Sequence, residues 1–144
     1  MTFSHDDEIT HIATGVLART LPKPQWTHAA HIAAGVYMLN EQGERAFATM
    51  PDIIRTYNEA TGVQNTDKDG YHETITQASL RVIYDEMKSA RAPTPLFEIA
   101  NKVMAGPMGN PDWLLFYWSK ALLFSVKARR SWVNADLKPF PYQQ

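Results

Sequence analysis

The chain has 144 residues, 44% of them hydrophobic and 20% charged, with a formal net charge of -1 and no cysteine. This length and composition predict one soluble globular domain, residues 1–144, with no general electrostatic attraction to nucleic acid. The absence of cysteine excludes disulfides, thiolate metal sites, iron–sulfur clusters and cysteine nucleophiles. No apolar run is long enough to cross a bilayer and the acidic N-terminus differs from a secretory signal, so we expect a cytoplasmic protein without a membrane partner.

The first half of the chain is predicted to form three helices. Ser4 is expected to cap the first helix, which ends at the LPKP segment, residues 21–24. Thr27 is expected to cap the second helix, which ends near Gly43 and carries a run of small residues that allows another helix to approach closely. The third helix covers about residues 44–61.

The second half is predicted to form three further helices and a tail. The fourth helix covers residues 71–90, and prolines open the fifth, 96–104, and the sixth, 112–124. Two prolines deny helical hydrogen bonds to the tail, residues 137–144, which we expect to be extended along the surface. Since no stretch alternates with the two-residue period of a strand, the predicted fold is all-α: a single-domain bundle of about six helices with an extended C-terminal tail.

The segment NTDKDGYHET, residues 65–74, matches the first half of an EF-hand calcium loop. Its Asn and Asp side chains alternate before a glycine, but Thr76 stands where the bidentate glutamate is required. The alternative is turn and capping chemistry, in which Asp69 or Gly70 caps the next helix and Glu73 reaches back to the cap. We favour this alternative, because a hard-cation site tolerates the loss of two ligand oxygens poorly.

Three histidines lie at predicted helix starts. His28 and His31 share a face in the first turn of the second helix, and His72 lies in the first turn of the fourth. If these helix starts meet, the three imidazoles form a set of metal ligands for Zn²⁺, Fe²⁺ or Ni²⁺ with positions open to a substrate. Without a metal, the helix dipole favours neutral imidazoles at these positions, which can act as general bases or donors.

The candidate pocket is completed by residues near these histidines. His72, His28 and the phenol of Tyr71 are the predicted catalytic groups. The predicted substrate-binding residues are His31, Tyr57, Thr76 and Arg55. The alternative for each histidine is a structural role, in which the imidazole satisfies a buried backbone carbonyl or lies in solvent.

Three segments together resemble a family of small, largely uncharacterised bacterial helical proteins. These segments are WTHAAHIAAGVYML, YNEATGVQNTDKDGYHETITQASLRVI and LFSVKARRSWVNADLKPFP, which span about residues 26–141. The family carries a TH-x-x-H segment and a G-Y-H-E-T-[IL]-T segment. The resemblance implies an all-helical fold and one pocket that contains His28, His31, Tyr71 and His72, but it implies no particular activity.

The motifs leave three functional hypotheses open. Signatures of common nucleophile, nucleotide and zinc-protease sites are absent, so no nucleotide cofactor is expected. The leading hypothesis is a small enzyme of the lyase, isomerase or hydrolase type that acts on a small polar or anionic metabolite, with a metal or by general acid/base catalysis. The second is a non-catalytic binding protein for an anionic metabolite. The third is an interaction module whose aromatic C-terminal half mediates homodimerisation or the docking of a partner.

Overall fold

A computed structural model describes residues 2–142 and confirms the all-α prediction. The described residues form seven α-helices, of which the last two are short. They are α1 (Asp6–Ala18), α2 (His28–Gln42), α3 (Ala46–Ala60), α4 (Glu73–Ser89), α5 (Leu96–Ala105), α6 (Lys120–Leu123) and α7 (Val126–Arg130). Short 3₁₀ turns at Lys23–Gln25, Gly43–Arg45, Pro107–Gly109 and Trp113–Phe116 connect them.

Helix α2 lies at the centre of the bundle and contacts α1, α3, α4 and α5. Its Ile32, Ala33 and Val36 are completely buried, and small residues along it allow close packing, as the sequence predicted. At Gly35 an added Cβ would lie 2.8 Å from Cδ1 of Ile83, so the Ile83 side chain of α4 packs directly on the glycine. This contact is one of those that join α2 to α4.

The predicted sixth helix over residues 112–124 is wrong, because the structure divides this segment. A 3₁₀ turn, Trp113–Phe116, is followed by an extended residue, Ser119, whose side chain accepts from Leu122 N and begins α6. Both carboxylate oxygens of Asp136 accept from Ser119, one from its amide and one from its hydroxyl, each at 2.7 Å. These contacts hold the backbone of Ser119 outside helical geometry. The helical periodicity of the sequence does not indicate them, because Asp136 lies 17 residues from Ser119.

The C-terminal segment is extended through Tyr142, as predicted, and residues 143–144 lie outside the described range. The indole of Trp118 is completely buried and donates to Val133 O at 3.0 Å. Phe140 is also buried, with its ring centroid 5.0 Å from that of Trp118. The aromatic residues therefore anchor the tail to the body of the protein.

The first helix begins later than predicted. Ser4 and His5 both donate their backbone N–H groups to Glu8 Oε1, at 2.6 and 3.0 Å, and the helix begins at Asp6 with His5 in the cap position. Glu8 thus satisfies amides at the helix start in place of the predicted Ser4 hydroxyl cap. No helix within residues 2–142 combines the length and apolar character needed to cross a membrane.

Candidate functional site

A cavity of about 430 Å³ lies between α2, α3, α4 and the segment that follows α5. This volume falls within the range of pockets that hold small ligands. Most of the lining is apolar. The lining residues are Trp26, His28, His31, Ile32, Gly35, Met50, Ile54, Ile75, Thr76, Ser79, Leu80, Ile83, Met108, Pro111, Asp112, Trp113, Leu114, Leu115, Leu123 and Phe124.

The start of α2 places His28 and His31 in the wall of this cavity. Thr27 caps the helix, with its hydroxyl accepting from Ala30 N at 3.2 Å. The Nε2–H group of His28 donates to Met108 O at 2.6 Å, and the Nδ1–H group of His31 donates to Thr27 O at 2.7 Å. Each imidazole is therefore oriented by a backbone carbonyl through one nitrogen. The other nitrogen of each ring, Nδ1 of His28 and Nε2 of His31, has no hydrogen-bond partner within residues 2–142.

The ring of His31 stacks on the indole of Trp26, with a centroid separation of 3.7 Å and an interplanar angle of 28°. Desolvation is the largest cause that lowers the pKa of His31, and the nearby His28 also lowers it, while the hydrogen bond to Thr27 acts in the opposite direction. A large fraction of the His31 surface still reaches solvent. His31 is thus a neutral imidazole in a crowded but accessible position.

His72 is buried and does not line the cavity. Its Nδ1 accepts from Ile75 N at 3.2 Å, so His72 itself caps α4, in place of the predicted Asp69 or Gly70. Its Nε2–H group donates to Leu123 O at 2.6 Å. Desolvation lowers the pKa of His72, followed by the charge of Arg129, against the raising effect of the Leu123 hydrogen bond. Both nitrogens are bound to backbone, so the contacts support a structural role, and catalysis by His72 stays a prediction.

The structure does not assemble the metal site predicted from His28, His31 and His72. Among residues 2–142, no group of three His, Asp or Glu side chains has the geometry to hold a metal ion. The physical reason is the orientation of His72, whose ring nitrogens are directed to Ile75 N and Leu123 O. The helix starts lie on one side of the bundle, but the imidazoles do not converge.

Tyr71 and Arg55 lie at a separate, smaller cavity of about 250 Å³. The guanidinium of Arg55 lies over the ring of Tyr71, 4.3 Å from its centroid. The hydroxyl of Tyr71 donates to Glu73, and burial followed by this hydrogen bond raises the pKa of Tyr71. Tyr71 is thus a protonated phenol engaged within the protein, and neither residue belongs to the lining of the larger cavity.

The other two predicted substrate-binding residues, Tyr57 and Thr76, lie in different environments. Tyr57 is completely buried outside the large cavity, and its hydroxyl donates to Leu21 O at 2.7 Å, which fixes the α1–α2 connection to α3. Thr76 lines the large cavity, as expected of a pocket residue. The cavity therefore unites His28, His31 and Thr76 and separates them from Tyr57, Tyr71 and Arg55.

The NTDKDGYHET loop adopts the turn structure rather than a calcium loop. The side chain of Asn65 donates to Arg55 O and accepts from Tyr71 N and from Asn58 Nδ2, all at 3.0 Å. The carboxylate of Asp67 forms an ion pair with Arg130 at 2.6 Å. Gly70 has a φ of 82°, and a Cβ there would lie 2.5 Å from Gln64 O. Asn65 and Asp67, two of the side chains that a calcium loop would use, are therefore engaged in other contacts.

Trp26, Met108 and Asp112 line the cavity although no sequence motif indicated it. Trp26 directly precedes the Thr27 cap, and this position beside the helix start is a local signal for its contact with His31. Met108 and Asp112 reach the cavity through the folding of the segment after α5, for which the sequence has no local signal. Ser79, one turn along α4 from Thr76, also lines the cavity.

Comparisons with protein families, curated proteins and solved structures found no match to the chain. The resemblance to the family with TH-x-x-H and G-Y-H-E-T-[IL]-T segments therefore stays a prediction. We therefore infer function from the fold and from the cavity between α2 and α4.

Proposed function

We propose that the chain binds a small, largely apolar molecule with at least one hydrogen-bonding group in the cavity between α2 and α4. The observation that carries this proposal is the combination of an apolar wall with two oriented imidazoles, each with one nitrogen that no residue of the range 2–142 engages. Ligand pockets commonly have this composition, in which apolar area supplies affinity and a few polar groups fix orientation. Thr76 and Ser79 add two hydroxyls to the wall.

The charge of the lining favours an uncharged ligand over the anionic metabolite expected from the sequence. The lining contains no Lys or Arg, and Asp112 contributes a carboxyl group. A desolvated anion in this cavity would have no ion-pair partner and would lie near a carboxylate, which is energetically costly. Hydroxyl, amide or carbonyl groups match the imidazoles and hydroxyls of the wall instead.

The hydrogen bond of His31 to Thr27 supports a role of His31 as hydrogen-bond acceptor for the ligand. Because Nδ1–H donates to Thr27 O, the neutral ring presents a lone pair on Nε2. The lowered pKa keeps the ring unprotonated at neutral pH, so this lone pair is available to a ligand O–H or N–H group. Stacking on Trp26 fixes the plane of the ring.

This role can be tested with two probes that differ by one hydroxyl, 1-naphthol and naphthalene. We expect both to bind and 1-naphthol to bind about fivefold to tenfold more tightly, which corresponds to roughly 1 kcal/mol for one hydrogen bond. The His31→Phe variant retains a ring for stacking on Trp26 but has no acceptor, so the two probes should bind it equally. The His11→Phe variant introduces the same change on the exposed side of α1 and should preserve the difference.

Each negative outcome of this titration contradicts a different part of the proposal. If neither probe binds at millimolar concentration, the cavity is not a site for apolar ligands. If both bind but the advantage of 1-naphthol persists in His31→Phe, the acceptor is not His31. Chemical shift changes in the methyl groups of Ile54, Ile83 and Leu114 locate the probe within the cavity.

A second candidate function, catalysis by His31 as a general base, rests on the same unpaired Nε2. Small molecules extracted from cells can be incubated with the wild type and with His31→Phe and then measured by mass spectrometry. A compound consumed by the wild type alone, with a new product, supports an enzyme. A compound retained unchanged by the wild type supports a binding protein.

A further inference from the structure

A second cavity, of about 470 Å³, lies between α4 and the extended C-terminal segment. Arg81 of α4 forms one wall, and Trp132, Leu137, Lys138 and Phe140 of the C-terminal segment form much of the rest. This cavity shares no described lining residue with the cavity between α2 and α4. An inference about this cavity therefore does not rest on the function proposed above.

The guanidinium of Arg81 is the unusual feature of this cavity. Its Cζ lies 3.7 Å from the ring centroid of Trp132, so the charged plane is held against the indole. Its Nε is buried and has no hydrogen-bond partner within residues 2–142. No carboxylate of the described chain lies within ion-pair distance of Arg81, and desolvation lowers its pKa. A partly buried arginine normally has a carboxylate or carbonyl partner, so this charge lacks its usual compensation.

The other charged groups of the cavity leave it with an excess of positive charge. The Nζ of Lys138 lies 3.9 Å from the ring centroid of Phe116 and has no carboxylate within ion-pair distance in the described chain. Asp136 also lines the cavity, but both of its oxygens accept hydrogen bonds from Ser119. The lining of the cavity therefore includes two cationic residues and one carboxylate that is already engaged.

Backbone and side-chain hydrogen bonds fix the segment that carries these groups. The amides of Leu137 and Lys138 both donate to Tyr117 O, at 2.9 and 3.4 Å. The indole of Trp132 donates to Asn134 Oδ1 at 3.1 Å. The wall opposite Arg81 is thus preorganised, which lowers the entropic cost of binding a ligand there.

We propose that this second cavity binds a small molecule with an oxyanion, a carboxylate or phosphate group, through the terminal nitrogens of Arg81. The guanidinium can donate two parallel, charge-assisted hydrogen bonds to such a group. Leu137, Pro139 and Phe140 provide an apolar surface for the rest of the molecule. The oxyanion supplies the counter-charge that the described chain does not provide.

Nuclear magnetic resonance titrations with benzoate and with inorganic phosphate test the proposal at constant ionic strength. The signals to follow are the indole N–H of Trp132 and the Nε–H of Arg81. We expect saturable shifts with at least one of the two anions. A response to benzoate alone identifies a carboxylate site with an apolar contact, and a response to phosphate alone identifies a phosphate site.

Two arginine variants supply the matched comparison. Arg81→Gln retains much of the side-chain length without the charge, and should weaken binding at least tenfold, whereas Arg91→Gln removes an exposed arginine and should leave it unchanged. Arg81→Lys retains the charge without the two-pronged donor, and should weaken binding severalfold, which keeps the test decisive if Arg81→Gln does not fold. The absence of saturable shifts with both anions, or equal binding by the wild type and either Arg81 variant, would overturn the proposal.

Discussion

The imidazole of His72 joins the start of α4 to the end of α6, through a 2.6 Å hydrogen bond from Nε2–H to the carbonyl of Leu123, 51 residues along the chain. The same ring caps α4 through Nδ1, which accepts from Ile75 N at 3.2 Å. One buried side chain thus satisfies a helix amide and a distant carbonyl at once. A structural role for His72 gives a prediction about stability that a purely catalytic role does not.

Replacement of His72 should lower the free energy of unfolding in two separable steps. His72→Ala removes the cap and leaves the buried Leu123 carbonyl without its donor, and we expect a loss of about 2–4 kcal/mol. His72→Asn retains a cap acceptor but is too short to reach Leu123, so about half of that loss should remain. Urea unfolding followed by circular dichroism measures both values.

The control for these variants is His11→Ala, which truncates an exposed histidine on α1 and should change the free energy of unfolding by less than about 0.5 kcal/mol. If His72→Ala unfolds at the same urea concentration as the wild type, the cap and tether contribute nothing. His72 would then be free for the catalytic role suggested by the sequence.

The lowered pKa values of His31 and His72 predict that acid destabilises the fold. In the unfolded chain both imidazoles titrate near the ordinary value of 6.5, and in the folded chain both titrate below it. Between the folded and unfolded pKa values the unfolded chain binds more protons, so the free energy of unfolding falls as the pH falls through 6.5 toward the folded values. Above pH 6.5 the contribution is fully present.

Unfolding measured from neutral to mildly acidic pH checks this dependence. His72→Asn removes one of the two titrating groups and should flatten the decrease below pH 6.5. Proton spectra of the folded protein should show the His31 and His72 rings titrating below 6.5. A slope that is identical in the wild type and His72→Asn would contradict the assignment to His72.

The sequence predicted those parts of the fold that depend on neighbours within one helical turn. The Thr27 cap, the shared face of His28 and His31 and the position of Thr76 all follow from spacings of three or four residues, and the structure shows each of them. The same local signals indicated that the loop from Asn65 closes on itself. The positions of these residues in the structure thus follow their local spacing, whereas their functional roles stay predictions.

The features that the sequence did not predict depend on residues whose partners lie far along the chain. The acceptor of His72 is Leu123, and Ser119 is held by Asp136, 17 residues away. Only the folded chain brings these pairs together, so helical periodicity cannot indicate that His72 is occupied or that the sixth helix is divided. The apolar lining from Met108 onward depends on the same long-range packing.

A cavity-filling substitution at Ser79 should abolish ligand binding without loss of stability. Ser79 lines the cavity, and its hydroxyl bonds within the helix to Ile75 O at 2.7 Å, so it holds no other part of the fold. In Ser79→Leu, the larger side chain occupies ligand volume and buries apolar surface, and we expect 1-naphthol binding to be lost while stability is unchanged or raised by about 1 kcal/mol.

The matched control is Ser89→Leu, because the Ser89 hydroxyl makes the same bond, to Asp85 O at 2.8 Å, at the exposed end of α4. This variant should bind 1-naphthol as the wild type does. Calorimetric titration and thermal melting of both variants provide the comparison. Undiminished binding by a folded Ser79→Leu would show that the probe lies outside this cavity.

The calcium interpretation and the turn interpretation of the loop that begins at Asn65 predict opposite effects of one substitution. Asn65→Asp introduces the residue that an EF-hand prefers at its first position, so a calcium loop should bind the ion more tightly. In the observed loop, Asn65 Nδ2 donates to Arg55 O at 3.0 Å, and an aspartate would place a carboxylate oxygen against that carbonyl. We therefore expect Asn65→Asp to lower the free energy of unfolding by about 1–2 kcal/mol, with or without calcium.

The control for this substitution is Asn110→Asp. Asn110 Oδ1 accepts from Asp112 N at 2.9 Å, a bond that aspartate retains, so the free energy of unfolding should be nearly unchanged. Thermal melting of the wild type and both variants, with calcium and with chelator, gives the result directly. Because Asp67 is paired with Arg130 and Asn65 is bound to backbone, calcium should not raise the melting temperature of any of the three proteins. A calcium-dependent rise that grows in Asn65→Asp would instead restore the cation loop.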